Sequence, residues 1–355
     1  MTVAGLALGL FGAFAWPSGL GVAQTHADLA AARSAISEGA YRTALDHLTK
    51  AIEAGDLPRS DLARTYFFRA GTLQQLGRLH EAISDYDKAI DLQGNLAPAY
   101  MDRGIAYYWL GDYFRAITDY NRTLRLRPNF DLAYINRGNA LQELDAYDLA
   151  IRDYNRAIAL NPNAISAFAG RATALYRQRD FVGAITDYTR AIAIDRSYQA
   201  ALWGRGYATF NLGQMRAAAI DFATLLTADA RNIYATLWRY LATAQRGDIA
   251  GAARQLALDR PENTGRDWPA PIVAYMLGEI DARAAIAGAF SADPAIRRQR
   301  LAEAYFSLGL QAGFDGDAVV GIDYLGRAAD LGGTDFADAL IIEISLARLA
   351  ATARP

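Results

Sequence analysis

Apolar positions along most of the chain recur at the three- and four-residue spacing of amphipathic helices, and that pattern itself returns every 34 residues. Ala82-Ile83-Ser84-Asp85-Tyr86 comes back as Ala116-Ile117-Thr118-Asp119-Tyr120, Ala150-Ile151-Arg152-Asp153-Tyr154 and Ala184-Ile185-Thr186-Asp187-Tyr188. Ala218-Ala219-Ile220-Asp221-Phe222 keeps the beat. Tyr66, Tyr100, Tyr134, Phe168 and Leu202 share the interval, as do Arg69, Arg103, Arg137, Arg171 and Arg205. A period of this length predicts a stack of supersecondary units, each too small to bury its apolar face alone.

Within 97–130 the unit reads as two helices. Pro98 suits a first turn. Tyr100, Gly104 and Tyr107 then share one face, and Gly111-Asp112 breaks the chain. Tyr113 to Leu126 forms the second helix with Ala116, Tyr120 and Thr123 inward. Small residues at 104 and 116 allow close approach, while Tyr120 fills the space against the next unit. Pro128 and Pro162 close two of the units.

The order Tyr134, Gly138, Ala150, Tyr154, Ala157 and Pro162 resembles the tetratricopeptide repeat (TPR) family. Five units fit: 63–96, 97–130, 131–164, 165–198 and 199–232. The resemblance implies an all-α fold, a right-handed superhelical solenoid of helix-turn-helix units with a concave face lined by first helices. A divergent unit at 26–62 keeps Ala44, Leu48 and Ala51 but exits through a longer Gly55–Ser60 segment. From 233 to 300 the beat fades into a degenerate helical region. It holds a helix pair around Gly247-Asp248, a loop over 259–271, and short helices at 271–278 and 281–290. A repeat-like unit returns at 302–335, and a last helix over 336–350 caps the array, so 302–350 is the final segment.

Residues 1–25 carry no charged side chain, and Gly21-Val22-Ala23 precedes Gln24. This composition predicts an export signal over 1–24, placing the mature chain in the periplasm. The alternatives are an inner-membrane anchor over 3–23 and a buried helix.

Two stretches of the C-terminal half, Trp268-Pro269-Ala270-Pro271 through Gly278 and Glu303-Ala304-Tyr305-Phe306-Ser307-Leu308-Gly309, and Thr334-Asp335-Phe336 after them, look like the tail of the new lipoprotein I class of TPR proteins. That resemblance implies an envelope adaptor for peptidoglycan hydrolases or a processing protease, and a homodimer. The family's lipidated cysteine is missing, because the chain has no cysteine.

Composition narrows the chemistry. The net charge of −2 argues against a general nucleic-acid binder. Only Lys50 and Lys88 are lysines, so the positive charge is almost all arginine. No Gly-rich phosphate loop with a lysine and no Gly-x-Ser-x-Gly elbow occurs, and His26, His47 and His80 lack ligand spacing. No metal, cofactor, small-molecule substrate or catalytic residue is predicted.

Two features remain. The arginine ladder pairs with the aspartate ladder Asp85, Asp119, Asp153, Asp187 and Asp221 if it is structural. If some arginines face the groove instead, they hold acidic peptide termini. By the pattern of the family it resembles, the groove is expected to be lined by Met101, Ile105, Tyr108, Trp109, Ile135, Asn139, Gln142, Thr173, Tyr176, Trp203, Tyr207 and Phe210. Aromatic anchors interspersed with amides suit peptide recognition. The expected function is a non-enzymatic scaffold that binds peptide or helix segments of other proteins. The rivals are a subunit acting on cell-wall polymer through carboxylates of 259–300, and a purely structural oligomerisation module.

Overall fold

The computed structural model describes residues 23–260, 268–334 and 339–352, and among these it holds nineteen helices and no strand. In chain order they are α1 (Ala23–Ser37), α2 (Tyr41–Glu53), α3 (Arg59–Gln75), α4 (Leu79–Leu92), α5 (Ala97–Trp109) and α6 (Tyr113–Leu126). There follow α7 (Asp131–Gln142), α8 (Tyr147–Leu160), α9 (Ile165–Arg177), α10 (Phe181–Ile194), α11 (Gln199–Asn211) and α12 (Met215–Ala228). The rest are α13 (Ile233–Ala244), α14 (Ile249–Asp259), α15 (Ala270–Met276), α16 (Ala282–Gly288), α17 (Pro294–Phe314), α18 (Ala318–Leu331) and α19 (Ala339–Thr352). The expected export segment lies outside the described residues except for Ala23 and Gln24, which open α1.

The chain forms two compact units, one up to Ala174 and one from Leu175 onward. In the N-terminal unit α1 packs on α2, α3 on α4, α5 on α6 and α7 on α8. Each pair leans on the next through α2–α3, α4–α5 and α6–α7. The wedge between repeats is aromatic. Tyr154 is fully buried, and a Cβ placed on Gly138 or Gly170 would stand 2.8 Å or 2.6 Å from its ring. Glycine at both positions lets one tyrosine fill the space between its own first helix and the next.

The turn inside each repeat needs a left-handed residue. Gly77, Gly111, Gly213 and Gly247 supply it with φ between 74° and 88°, while Asp145 and Arg179 adopt φ of 56° and 66° at the same 34-residue register. The turn beat therefore continues to Gly247, one repeat past the point where the side-chain pattern fades. Aspartates then start the second helices: the Oδ1 atoms of Asp112, Asp180, Asp248 and Asp317 each accept the backbone N–H three residues on, at 2.8–3.1 Å. Ala cannot hold φ > 0 without strain, so Gly111→Ala is expected to cost about 1–2 kcal/mol, read as a lowered urea midpoint at unchanged slope.

In the C-terminal unit α10 to α14 continue the stacking, α17 pairs with α18, and α19 lies on α18. The helix expected to open this last unit at 302 starts eight residues earlier, at Pro294, because Asp293 caps it through the N–H groups of Ala295 and Ile296. Trp268 anchors the preceding segment by donating its indole N–H to the buried Glu303 at 2.7 Å.

Candidate protein-binding face

The ladders settle first, because they decide what the arginines are available for. Arg69, Arg103, Arg137 and Arg205 each donate from Nε and Nη2 to both carboxylate oxygens of the aspartate sixteen residues on, at 2.6–3.0 Å. The remaining Nη1 reaches back to the preceding repeat. Arg103 donates to Asp87 at 2.5 Å, Arg137 to Asn121 at 2.6 Å, Arg171 to Asn155 at 2.5 Å and Arg205 to Thr189 at 3.1 Å. In Arg69, Arg103, Arg137 and Arg171 the guanidinium also lies over the aromatic ring three residues earlier, as Arg103 does over Tyr100 at 5.5 Å. Each arginine thus staples two helices of its own repeat to the repeat before it. The alternative in which these arginines hold acidic peptide termini is overturned for Arg69, Arg103, Arg137 and Arg205, whose forks are already filled by carboxylates.

The twelve residues expected in the groove divide in two. Met101, Ile105, Tyr108, Ile135, Tyr176 and Phe210 are buried. Successive first helices α3, α5 and α7 touch one another directly, so Met101, Ile105 and Tyr108 pack in one cluster with Tyr120, Ala133 and Ala140. These six pack among the helices rather than lying open on the surface. Trp109 is half exposed, and Asn139, Gln142, Thr173, Trp203 and Tyr207 are partly exposed.

Beside them the N-terminal unit carries two residues that the family pattern did not single out. Asp102 and Asn136 stand one repeat apart, on α5 and α7. Both are buried, and Asp102 Oδ1 and both amide atoms of Asn136 have no hydrogen-bond partner among the described residues. Gln142 Oε1 is in the same state. Asp102, Ile105 and Trp109 follow i, i+3, i+7 spacing along one stripe of α5. Asn136, Asn139 and Glu143 form the matching stripe at the same register of α7. Burial pushes the Asp102 carboxyl up to about 8. Burial first raises the phenols of Tyr86 and Tyr120, and the Asp102 charge adds a smaller push to each. Asn139 Oδ1 accepts the Tyr154 hydroxyl at 2.7 Å, and Glu143 accepts that of Tyr108 at 3.2 Å. Burial first, then the Glu143 charge, raises Tyr108. The chemistry on offer is a pair of stripes with carboxyl, amide and indole groups whose donors and acceptors are only partly used.

The same face of the C-terminal unit is occupied by the chain itself. Trp238 on α13 is fully buried, with Phe210, Tyr207, Phe222 and Phe306 at ring-centroid distances of 5.1, 5.1, 5.6 and 5.7 Å. Phe306 belongs to α17, which also receives the hydroxyls of Tyr240, on Gln311 at 2.5 Å, and Tyr234, on Glu303 at 3.2 Å. From α19, Arg348 donates to the carbonyl oxygens of Phe210, at 3.1 Å, and Asn211, closing the end of α11. Trp203 and Tyr207 belong to this aromatic cluster. Among the described residues no group of acidic or histidine side chains is arranged to hold a metal ion; His47 instead sits 2.8 Å from Asp28.

Tetratricopeptide repeat family models match residues 63–96, 106–145, 132–164 and 169–233. A tetratricopeptide repeat protein of Parabacteroides merdae is similar over 72% of this chain and 98% of its own, with TM-score 0.55 and 18% identity. PilW, a type IV pilus biogenesis factor, is similar over 55% of this chain and 91% of its own, with TM-score 0.50 and 16% identity. YrrB, described as a TPR protein with an unusual peptide-binding site, covers 53% of this chain over 95% of its own length, with TM-score 0.44 and 23% identity. No curated protein matches the chain.

Proposed function

Since the chain is a tetratricopeptide repeat protein, we propose that it is a non-catalytic scaffold which binds segments of partner proteins on the first-helix face of its N-terminal unit. One observation carries this reading: Asp102, Asn136 and Gln142 leave polar atoms without partners on that face, whereas the C-terminal unit covers its own with α17 and α19. Native interiors rarely leave such atoms unmet, because each costs about 1–3 kcal/mol. The backbone of a bound polypeptide supplies both N–H donors and carbonyl acceptors, and a primary amide such as Asn136 can use both. Trp109 at the open end of the stripe supplies the apolar anchor. A stack held rigid by the arginine staples presents the exposed Trp109 and the partly exposed Asn139 and Gln142 beside them without ordering the scaffold at the moment of binding.

The uncharged segment 1–25 and the likeness to the new lipoprotein I class support an exported, envelope-located adaptor, dimeric in that class. The test of the binding face places a photo-reactive side chain at Asn139 on α7, or at Arg152 on the second helix α8, and irradiates each protein in an envelope extract. Discrete polypeptide adducts at 139 and none at 152 are expected. Equal labelling at both positions, or turnover of cell-wall polymer by the purified protein, overturns the reading. The N-terminal residue of the mature protein tests export.

A further inference from the structure

The two lysines of the chain meet in one place. A cavity of about 560 Å³ lies between the second helices α2 and α4 and includes Lys50 from the first and Lys88 from the second. Its size falls within the range of small-ligand sites. Aligning Ala44, Leu48 and Ala51 with Ala82, Tyr86 and Ala89 gives an offset of 38 residues, four more than the repeat, and places both lysines at the same position of successive second helices. The extra residues lie in the exit after α2. They also lengthen the backward reach of the arginine staple here: Arg69 goes twenty residues back, to Thr49 at 3.3 Å, instead of sixteen. The groove between second helices is correspondingly floored by Arg69 and by Leu73.

The charges of the lining are balanced but unevenly used. Asp85 is committed to Arg69 at 2.6 Å and to Lys88 at 3.1 Å, and Arg78 to Glu81 at 2.6 Å. Lys50, Asp46 and Glu53 have no ion-pair partner among the described residues, and they sit at i, i−4 and i+3 on the face of α2 that borders the cavity. Lining groups of both signs are complementary to a ligand that carries both charges. A compact ammonium with three donors suits a carboxylate, and two carboxylates one turn either side of it suit an ammonium.

We propose that this groove binds a small zwitterion, an amino acid or a peptide of two or three residues with both ends free, its carboxylate on Lys50 and its amino group on Asp46 and Glu53. The site is on second helices and is independent of the protein-binding face proposed above. Calorimetric titration of the full chain with trialanine, N-acetyl-trialanine and trialanine amide tests it. Trialanine binds, and blocking either end weakens binding by about tenfold, the effect of losing a hydrogen bond to a charged group. Lys50→Met and Glu53→Gln weaken trialanine by a similar factor. Arg122→Met, the equivalent position two second helices along from Lys50, changes nothing. Lys50 and Glu53 are exposed, so unchanged thermal melting of their variants is the control for folding. No heat from trialanine at about 10 mM, equal binding of the blocked peptides, or Lys50-dependent binding of inorganic phosphate in preference to trialanine overturns the proposal.

Discussion

Asp102→Asn is expected to stabilise the N-terminal unit at pH 7 by about 4 kcal/mol and to remove a steep pH dependence. The carboxyl titrates near 3.8 when solvated and near 8 in its buried site. Between those values the folded chain holds a proton that the unfolded chain has released. The native state therefore binds more protons, and stability must fall as pH rises through this window, by up to about 1.4 kcal/mol per unit. Below pH 4 both states are protonated and the variant gains nothing. Above pH 8 both are ionised and the gain levels off. Urea unfolding at pH 4, 5.5, 7 and 8.5 reads the difference directly. Parallel curves for the two proteins across that range would show that Asp102 keeps its proton in neither state. Retaining such a carboxyl on the face assigned to partners costs stability, and natural proteins concentrate costs of that kind at functional positions.

Whether Asp102 and Asn136 face neighbours or partners was only half legible in the sequence. The 34-residue column that contains them reads Phe68, Asp102, Asn136, Gly170, Gly204 and Trp238. The alternation of large apolar, polar and glycine residues at one register was a visible signal that this column has no single packing role. The family pattern places the groove one residue earlier, at Met101 and Ile135. A one-residue step turns a helical side chain by about 100°, and here it separates Met101, packed with Ala133 and Ala140 of the next first helix, from Asp102 and its unpartnered Oδ1. By contrast, the arginine–aspartate pairing and the second helix over Tyr113–Leu126 follow from the period itself, since both depend on contacts within one unit.

The occupation of the C-terminal face was not legible. Tyr240 and Gln311 are separated by 71 residues and Arg348 and Phe210 by 138. Periodicity constrains neighbours in a stack, not a return of the last helices onto earlier ones. The fading beat after 233 marks where repeat-to-repeat packing is replaced by α17, and Trp238 is the residue that makes the exchange. It takes the register held by Gly204 one repeat earlier, and where a Cβ on Gly204 would clash with Tyr188, the indole of Trp238 finds α17.

Trp238→Ala is accordingly expected to destabilise the C-terminal unit by about 3–5 kcal/mol, the usual range for emptying a fully buried tryptophan site. The indole joins four helices: α11 through Tyr207 and Phe210, α12 through Phe222, its own α13, and α17 through Phe306. Its loss leaves a hole that no single neighbour can fill, since each belongs to a different element. Phe306→Leu keeps most of the apolar volume and should cost less, about 1–2 kcal/mol. If the Trp238–Phe306 contact is what holds α17 on α13, the double variant Trp238→Ala/Phe306→Leu should cost less than the sum of the two. Hydrogen exchange reads the location as well as the size. Amides of α11, α13 and α17 should lose protection together in Trp238→Ala, while those of α3 to α7 keep theirs, because stability in a repeat array is largely local. Uniform loss of protection across both units would mean that they fold as one cooperative body and that Trp238 is a keystone of the whole chain, not the device by which one unit covers its own first helices.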